Sequence, residues 1–140
     1  MITNERQYLV TQSQAERFRQ ALTVPDAKGR HPKATKAMRD GLRSQLDDLE
    51  TEIAEYDALR KGDVTVLQAE SIVGIGEALI KARIVRNLTQ KVLAERLELA
   101  EQQIQRYEAT RYRGVAAERL QEVADALNLR VHEVFTLKQE

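Results

Sequence analysis

Leu88-Thr89-Gln90-Lys91-Val92-Leu93-Ala94-Glu95-Arg96-Leu97-Glu98-Leu99-Ala100-Glu101-Gln102-Gln103-Ile104-Gln105-Arg106-Tyr107-Glu108 is the stretch that decides the fold. It reads as two short helices joined by a tight turn. Thr89 suits the N-cap of the first, because its hydroxyl can accept an orphan backbone N–H. Leu93, Ala94 and Leu97 then fall on one face at helical spacing. In the second helix Ile104 and Tyr107, three apart, point inward, leaving Glu101, Gln102, Gln105 and Arg106 outside. Side chains of those types hydrogen-bond base edges in a DNA major groove.

Working outward, the apolar residues of Leu79…Ala82 precede this pair. Leu120…Val123-Ala124…Ala126-Leu127…Leu129…Val134 follow it. The periodicity predicts five helices, near 75–86, 89–97, 100–109, 116–127 and 131–137. Asn87 stands where the first should end in a left-handed residue, a conformation Asn tolerates.

Upstream, Ala15, Phe18, Ala21 and Leu22 recur at helical spacing and predict a helix from Tyr8 to about Leu22, with Thr11 or Ser13 as its cap. Val24-Pro25-Asp26-Ala27-Lys28-Gly29-Arg30-His31-Pro32 holds both prolines of the chain and is a loop. A long helix from Lys33 to about Lys61 follows, and Gly62 stops it. Its Leu42, Leu46, Leu49, Ile53 and Tyr56 are spaced 4, 3, 4, 3. Two readings of that stripe stand: packing on the first helix as a hairpin, or a short self-pairing coiled coil that makes a dimer. Val64-Thr65-Val66-Leu67 is β-prone and allows a short strand. The chain is therefore expected to be all-α, with an N-terminal helical hairpin at 1–62, a linker at 63–74 and a five-helix domain at 75–140.

Composition narrows the function. The chain has 140 residues, no Cys and no Trp, so disulfides and thiolate metal sites are excluded. The absence of Cys fits a reducing compartment. The start, Met1-Ile2-Thr3-Asn4-Glu5-Arg6, lacks the apolar core of a signal peptide, and no apolar run is long enough to span a membrane. A cytoplasmic location is expected. Only His31 and His132 are present, without metal-ligand spacing. Gly74-Ile75-Gly76 lacks the third glycine of a nucleotide-binding loop. No cofactor, metal or catalytic constellation is expected, and the chain is read as no enzyme.

Net charge is zero, but it is unevenly spread. Residues 41–80 carry 3 Lys/Arg against 9 Asp/Glu, whereas residues 81–113 carry 8 against 4. A basic stretch beside an acidic block is compatible with DNA binding. The run Asp47, Asp48, Glu50, Glu52, Glu55, Asp57 is either the wet face of a helix or a surface for a basic partner.

Residues 75–137 resemble the Xre/Cro-type helix-turn-helix domain of phage repressors and many bacterial regulators. The matching string is Leu79…Ala82-Arg83…Leu88-Thr89-Gln90…Leu93-Ala94…Leu97…Leu99…Ile104…Arg106…Glu108, continued by the residues from Leu120 to Val134 given above. The resemblance implies a transcriptional repressor that binds an inverted-repeat operator as a homodimer, its second short helix in the major groove. Carried over position by position, Glu101, Gln102, Gln105 and Arg106 become base contacts. Thr89, Gln90, Lys91, Arg111, Tyr112 and Arg113 become phosphate contacts. Arg83 and Glu108 become a structural ion pair. Many antitoxins of type II toxin–antitoxin pairs, those of HigA type included, carry this domain. By that analogy the chain would repress its own operon and hold a basic protein toxin on the N-terminal helices. The other reading is a protein-interaction module with a purely structural helix-turn-helix.

The chain departs from the family pattern twice. Glu98 occupies the turn position where Gly is usual, and a positive φ there costs about 1 kcal/mol. Ala100 replaces the usual Ser or Thr cap, and Glu101 offsets that loss through its charge at the helix N-terminus.

Overall fold

The computed structural model describes residues 1–26 and 28–140 and holds six helices and no strand among them: α1 (Glu5–Thr23), α2 (Pro32–Arg60), α3 (Ile75–Val85), α4 (Gln90–Arg96), α5 (Glu101–Ala109) and α6 (Ala117–Ala126). They fall into two units, Met1–Asp63 and Val64–Glu140.

In the first unit α1 and α2 form an antiparallel hairpin. Helix α1 starts earlier than its apolar spacing indicates, and its cap is neither Thr11 nor Ser13. Asn4 Oδ1 accepts the Gln7 N–H at 2.8 Å, and Gln7 Oε1 accepts from the Thr3 N–H at 2.8 Å. The arrangement is close to a capping box, with Gln7 reaching back to the residue before the cap, and Asn4-Glu5-Arg6-Gln7 was its signal in the sequence. Thr11 lies inside the helix, its hydroxyl donating to the Gln7 carbonyl. The Leu42, Leu46, Leu49, Ile53 and Tyr56 stripe lines the covered side of α2, as the hairpin reading expects. Only Tyr56 of the five is fully buried, because a single neighbouring helix cannot enclose a whole apolar stripe. At the open end, Tyr8 donates to Asp57 at 2.8 Å, packs on Tyr56, and lies under the Arg60 guanidinium. At the loop end Arg39 braces the turn by donating to Asp26 and to the carbonyls of Leu22 and Val24.

In the second unit Val64–Leu67 forms no strand: these residues have no sheet to join. Four helices follow within about a residue of the expected bounds, around a core of Leu79, Ile80, Ile84, Leu93, Ile104, Val123 and Leu127. All four close in the same way. Asn87, Glu98, Arg111 and Asn128 each adopt a positive φ of 54–56°. The next residue, Leu88, Leu99, Tyr112 or Leu129, sends its N–H back five residues, to Arg83, Ala94, Tyr107 or Ala124. This is the Schellman closure, which satisfies the last helical carbonyls and turns an apolar residue back onto the helix. Glycine is absent from all four left-handed positions.

The fifth helix expected at 131–137 is not formed; the segment after Leu129 has no regular structure. Its apolar residues, Val131, Val134, Phe135 and Leu137, are all exposed. A seven-residue helix is too short to persist without a packed face, and here it has none.

Candidate nucleic-acid interface

Helices α4 and α5 make the site. Thr89 caps α4, its Oγ1 accepting the Val92 N–H at 3.1 Å, as its position in the sequence indicates. The turn to α5 passes through Glu98 at φ 56°, so the backbone keeps the usual geometry with a residue that strains to adopt it. Ala100 offers no side-chain cap, leaving Glu101 as the only acidic group in the first turn of α5.

Helix α5 is sharply two-sided. Ile104 and Glu108 are buried and Gln103 and Tyr107 half-buried, while Glu101, Gln102, Gln105 and Arg106 are exposed together on the opposite face. Lys91 near the start of α4, and Arg111 and Arg113 after α5, are also exposed. None of Lys91, Arg106, Arg111 and Arg113 forms an ion pair among the described residues. Their charge is thus available to an anion.

Beneath this face lies a buried polar cluster. Arg83 of α3 donates through Nε and Nη2 to the two carboxylate oxygens of Glu108, both at 2.7 Å, and through Nη1 to the Leu88 carbonyl at 2.8 Å. The two side chains are 4% and 1% exposed. The structural ion pair that the resemblance implies is therefore present. It fixes the last turn of α5 to α3 and to the start of α4.

Two of the expected phosphate contacts are placed otherwise. Gln90 is buried, and its amide nitrogen donates to Glu108 Oε1 at 2.9 Å, completing the shell of the ion pair. Its amide is turned toward the protein, not outward. Tyr112 is 4% exposed; its ring packs on Tyr107 at 5.5 Å between centroids. Its hydroxyl has no hydrogen-bond partner among the described residues. Burial pushes the phenol well above its ordinary pKa, with the Glu108 carboxylate adding to the effect. The reason is the Schellman closure, which draws Tyr112 onto the helix it follows while Arg111 and Arg113 on either side stay outside.

Sequence reasoning weighed Gly76 only as part of a nucleotide-binding loop and passed over Arg86 and Arg96. A Cβ on Gly76 would overlap the Arg111 carbonyl, so α3 needs a bare backbone where the loop after α5 crosses it. Arg86 donates to the carbonyls of Leu127 and Asn128, and Arg96 to that of Ala126. Two cations thus satisfy the end of α6. The only prior signal was their place at the ends of α3 and α4.

No group of His, Cys, Asp and Glu able to hold a metal occurs among the described residues. None of the helices is long and apolar enough to cross a membrane. Residues 78–140 match the family model of the Cro/C1-type HTH DNA-binding domain. No curated protein and no solved structure matches the chain.

Proposed function

We propose, from the premise that residues 78–140 are a Cro/C1-type helix-turn-helix DNA-binding domain, that this chain is a sequence-specific transcriptional repressor acting on its own promoter. The observation that carries the reading is the outer face of α5. Glu101, Gln102, Gln105 and Arg106 stand exposed together, while Ile104 and Glu108 anchor the opposite side. Arg106 suits guanine O6/N7, Gln102 adenine N6/N7 and Glu101 cytosine N4–H, with Gln105 beside them. Thr89, Lys91, Arg111 and Arg113 flank that face and suit phosphate oxygens, which set position rather than sequence. Two copies on an inverted repeat place two such helices about one turn of DNA apart. Glu101 weakens attraction to phosphates in general and so favours selective over indiscriminate binding.

The test is fluorescence anisotropy of the intact protein on a duplex covering its own upstream region, against a scrambled duplex, at two salt concentrations. Selective binding at both supports the repressor. Equal binding that vanishes with salt is phosphate attraction alone and removes it.

A second part of the reading concerns the hairpin. Asp47, Asp48, Glu50 and Glu55 are exposed on α2, within a segment rich in acid. That face suits a basic protein, the role an antitoxin's extension fills toward a type II toxin. Calorimetric titration with the protein encoded by the adjacent gene, repeated with Asp47→Asn/Asp48→Asn/Glu55→Gln, tests it. Heat of binding that the substitutions abolish supports the assignment. Unchanged binding, or none, sinks it.

A further inference from the structure

Helix α2 is charged the wrong way round at its start. The N-terminal end of a helix carries about half a positive charge and favours acidic side chains in the first turn. Helix α2 has none there, and Arg30, Lys33 and Lys36 stand around that end instead. An anion is the missing complement, and helix N-termini are suited to hold one.

A hollow lies beside this end. Thr35, Lys36, Arg39, Asp40 and Arg43, three and four residues apart, run down one side of α2. With Asp26 and Arg30 of the preceding loop they line a cavity of about 370 Å³. That falls within the size of small-ligand clefts, about 300–1,000 Å³.

Two groups in the cavity wall lack an oxygen partner. Thr35 is 8% exposed, yet its hydroxyl has no hydrogen-bond partner among the described residues. Only its backbone is engaged, the N–H donating to the His31 carbonyl. A hydroxyl buried in this way is unfavourable until something accepts from it. Arg30 forms no ion pair among the described residues; its Nη1 meets the Met38 sulfur, a weak acceptor, at 3.0 Å.

The remaining charges are partly matched. Arg39 is held by Asp26 at 2.6 Å and by the carbonyls of Leu22 and Val24. Asp40 is shared by Lys36 at 3.4 Å and Arg43 at 3.8 Å. Four cations thus face two carboxylates, which leaves the cavity with a charge of +2. A phosphate monoester carries about −1.5 to −2 near neutral pH and offers three acceptor oxygens. A nucleic-acid phosphodiester carries a single charge and comes as one of a row, whereas these cations surround one hollow. Charge, size and the unpartnered hydroxyl all select the monoester.

We infer that the loop end of the hairpin binds the phosphate group of a small phosphorylated molecule. Arg30, Lys36 and Arg43 pair with its charge, Thr35 donates a hydrogen bond to it, and Arg39 holds the turn that shapes the cavity. The inference is independent of the DNA-binding reading, because it uses no residue of the second unit.

Inorganic phosphate is the probe. Calorimetric titration of the full-length chain at fixed ionic strength should show saturable binding at one site. Arg30→Gln/Arg43→Gln should weaken it at least about tenfold, since charge-assisted hydrogen bonds are the strong ones. Thr35→Val, which keeps the shape and removes the hydroxyl, should weaken it about two- to tenfold. Arg130→Gln/Lys138→Gln takes the same charge from the second unit and should leave binding unchanged. The unmodified chain alone can decide against the inference: phosphate that does not saturate overturns it, whatever the variants do. Equal losses from the two double variants would mean diffuse attraction and overturn it as well. So would a loss of affinity for duplex DNA in Arg30→Gln/Arg43→Gln while phosphate fails to saturate, which would assign these cations to a nucleic-acid backbone.

Discussion

The guanidinium of Arg83 and the carboxylate of Glu108 meet in a two-pronged ion pair, 2.7 Å at each prong, sealed by Gln90 and shut away from water. It joins the helix that presents the candidate base contacts to the helix that begins the domain. Removing one partner leaves a buried charge stranded, so Glu108→Leu or Arg83→Met should each destabilise the chain by about 3–5 kcal/mol. The double replacement should recover much of that loss, because an apolar pair can occupy the same space. Urea denaturation of the four proteins of the cycle measures the coupling. Additive losses would show that the pair does not act as one.

Gly76→Ala adds a methyl where the Arg111 carbonyl already lies. The loop must shift, at a cost of about 1–3 kcal/mol typical of overpacking. Because Arg111 and Arg113 sit on that loop, DNA affinity should fall with stability. Thermal unfolding alongside anisotropy checks both, and an unaltered melting temperature would contradict the close approach.

Glu98→Gly should act in the opposite direction. The left-handed conformation costs a non-glycine residue about 1–2 kcal/mol, while glycine's extra freedom in the unfolded chain returns about 0.5–1 kcal/mol. The balance is a stabilisation of up to about 1.5 kcal/mol, read as a rise in denaturation midpoint. A fall would mean that the Glu98 side chain contributes something its position does not reveal.

Tyr112 gives the chain an alkaline limit. Its phenol is held neutral by burial, with a pKa raised above the ordinary tyrosine value, whereas in the unfolded chain it ionises near pH 10. Above that pH the unfolded state releases a proton that the folded state keeps. Stability should therefore fall by about 1.4 kcal/mol per pH unit from this group, until the raised folded value is reached. Tyr112→Phe removes this dependence and also a buried hydroxyl without a partner. Denaturation at pH 9 and pH 11 should show the variant losing less, and an equal loss would count against enclosure of the ring.

On DNA, Arg106→Ala should cost about 1–3 kcal/mol on the preferred duplex and relax choice at one base pair. Arg113→Ala should weaken all duplexes alike and lower the salt slope by about 1. Anisotropy on preferred and random duplexes separates the two, and the same pattern from both variants would contradict their division of roles.

Much of this molecule was legible in the chain because the relevant signals are local. Apolar spacing of three and four residues located α3 to α6 to within about a residue, Thr89 marked a cap, and Asn87 marked a left-handed stop. The exposed face of α5 followed from the same periodicity, since burying Ile104 fixes where Gln102, Gln105 and Arg106 point. What the chain did not disclose depends on contacts between residues far apart in sequence. Gln90 and Tyr112 look like surface groups beside basic neighbours. The first is turned inward by a carboxylate 18 positions away, and the second by the backbone bond that closes α5. The requirement for Gly76 arises from a loop more than thirty residues later. The segment 131–137 has apolar residues enough for a helix, yet helical spacing only proposes a face. Whether another surface exists to cover that face is settled in three dimensions, and among the described residues none does.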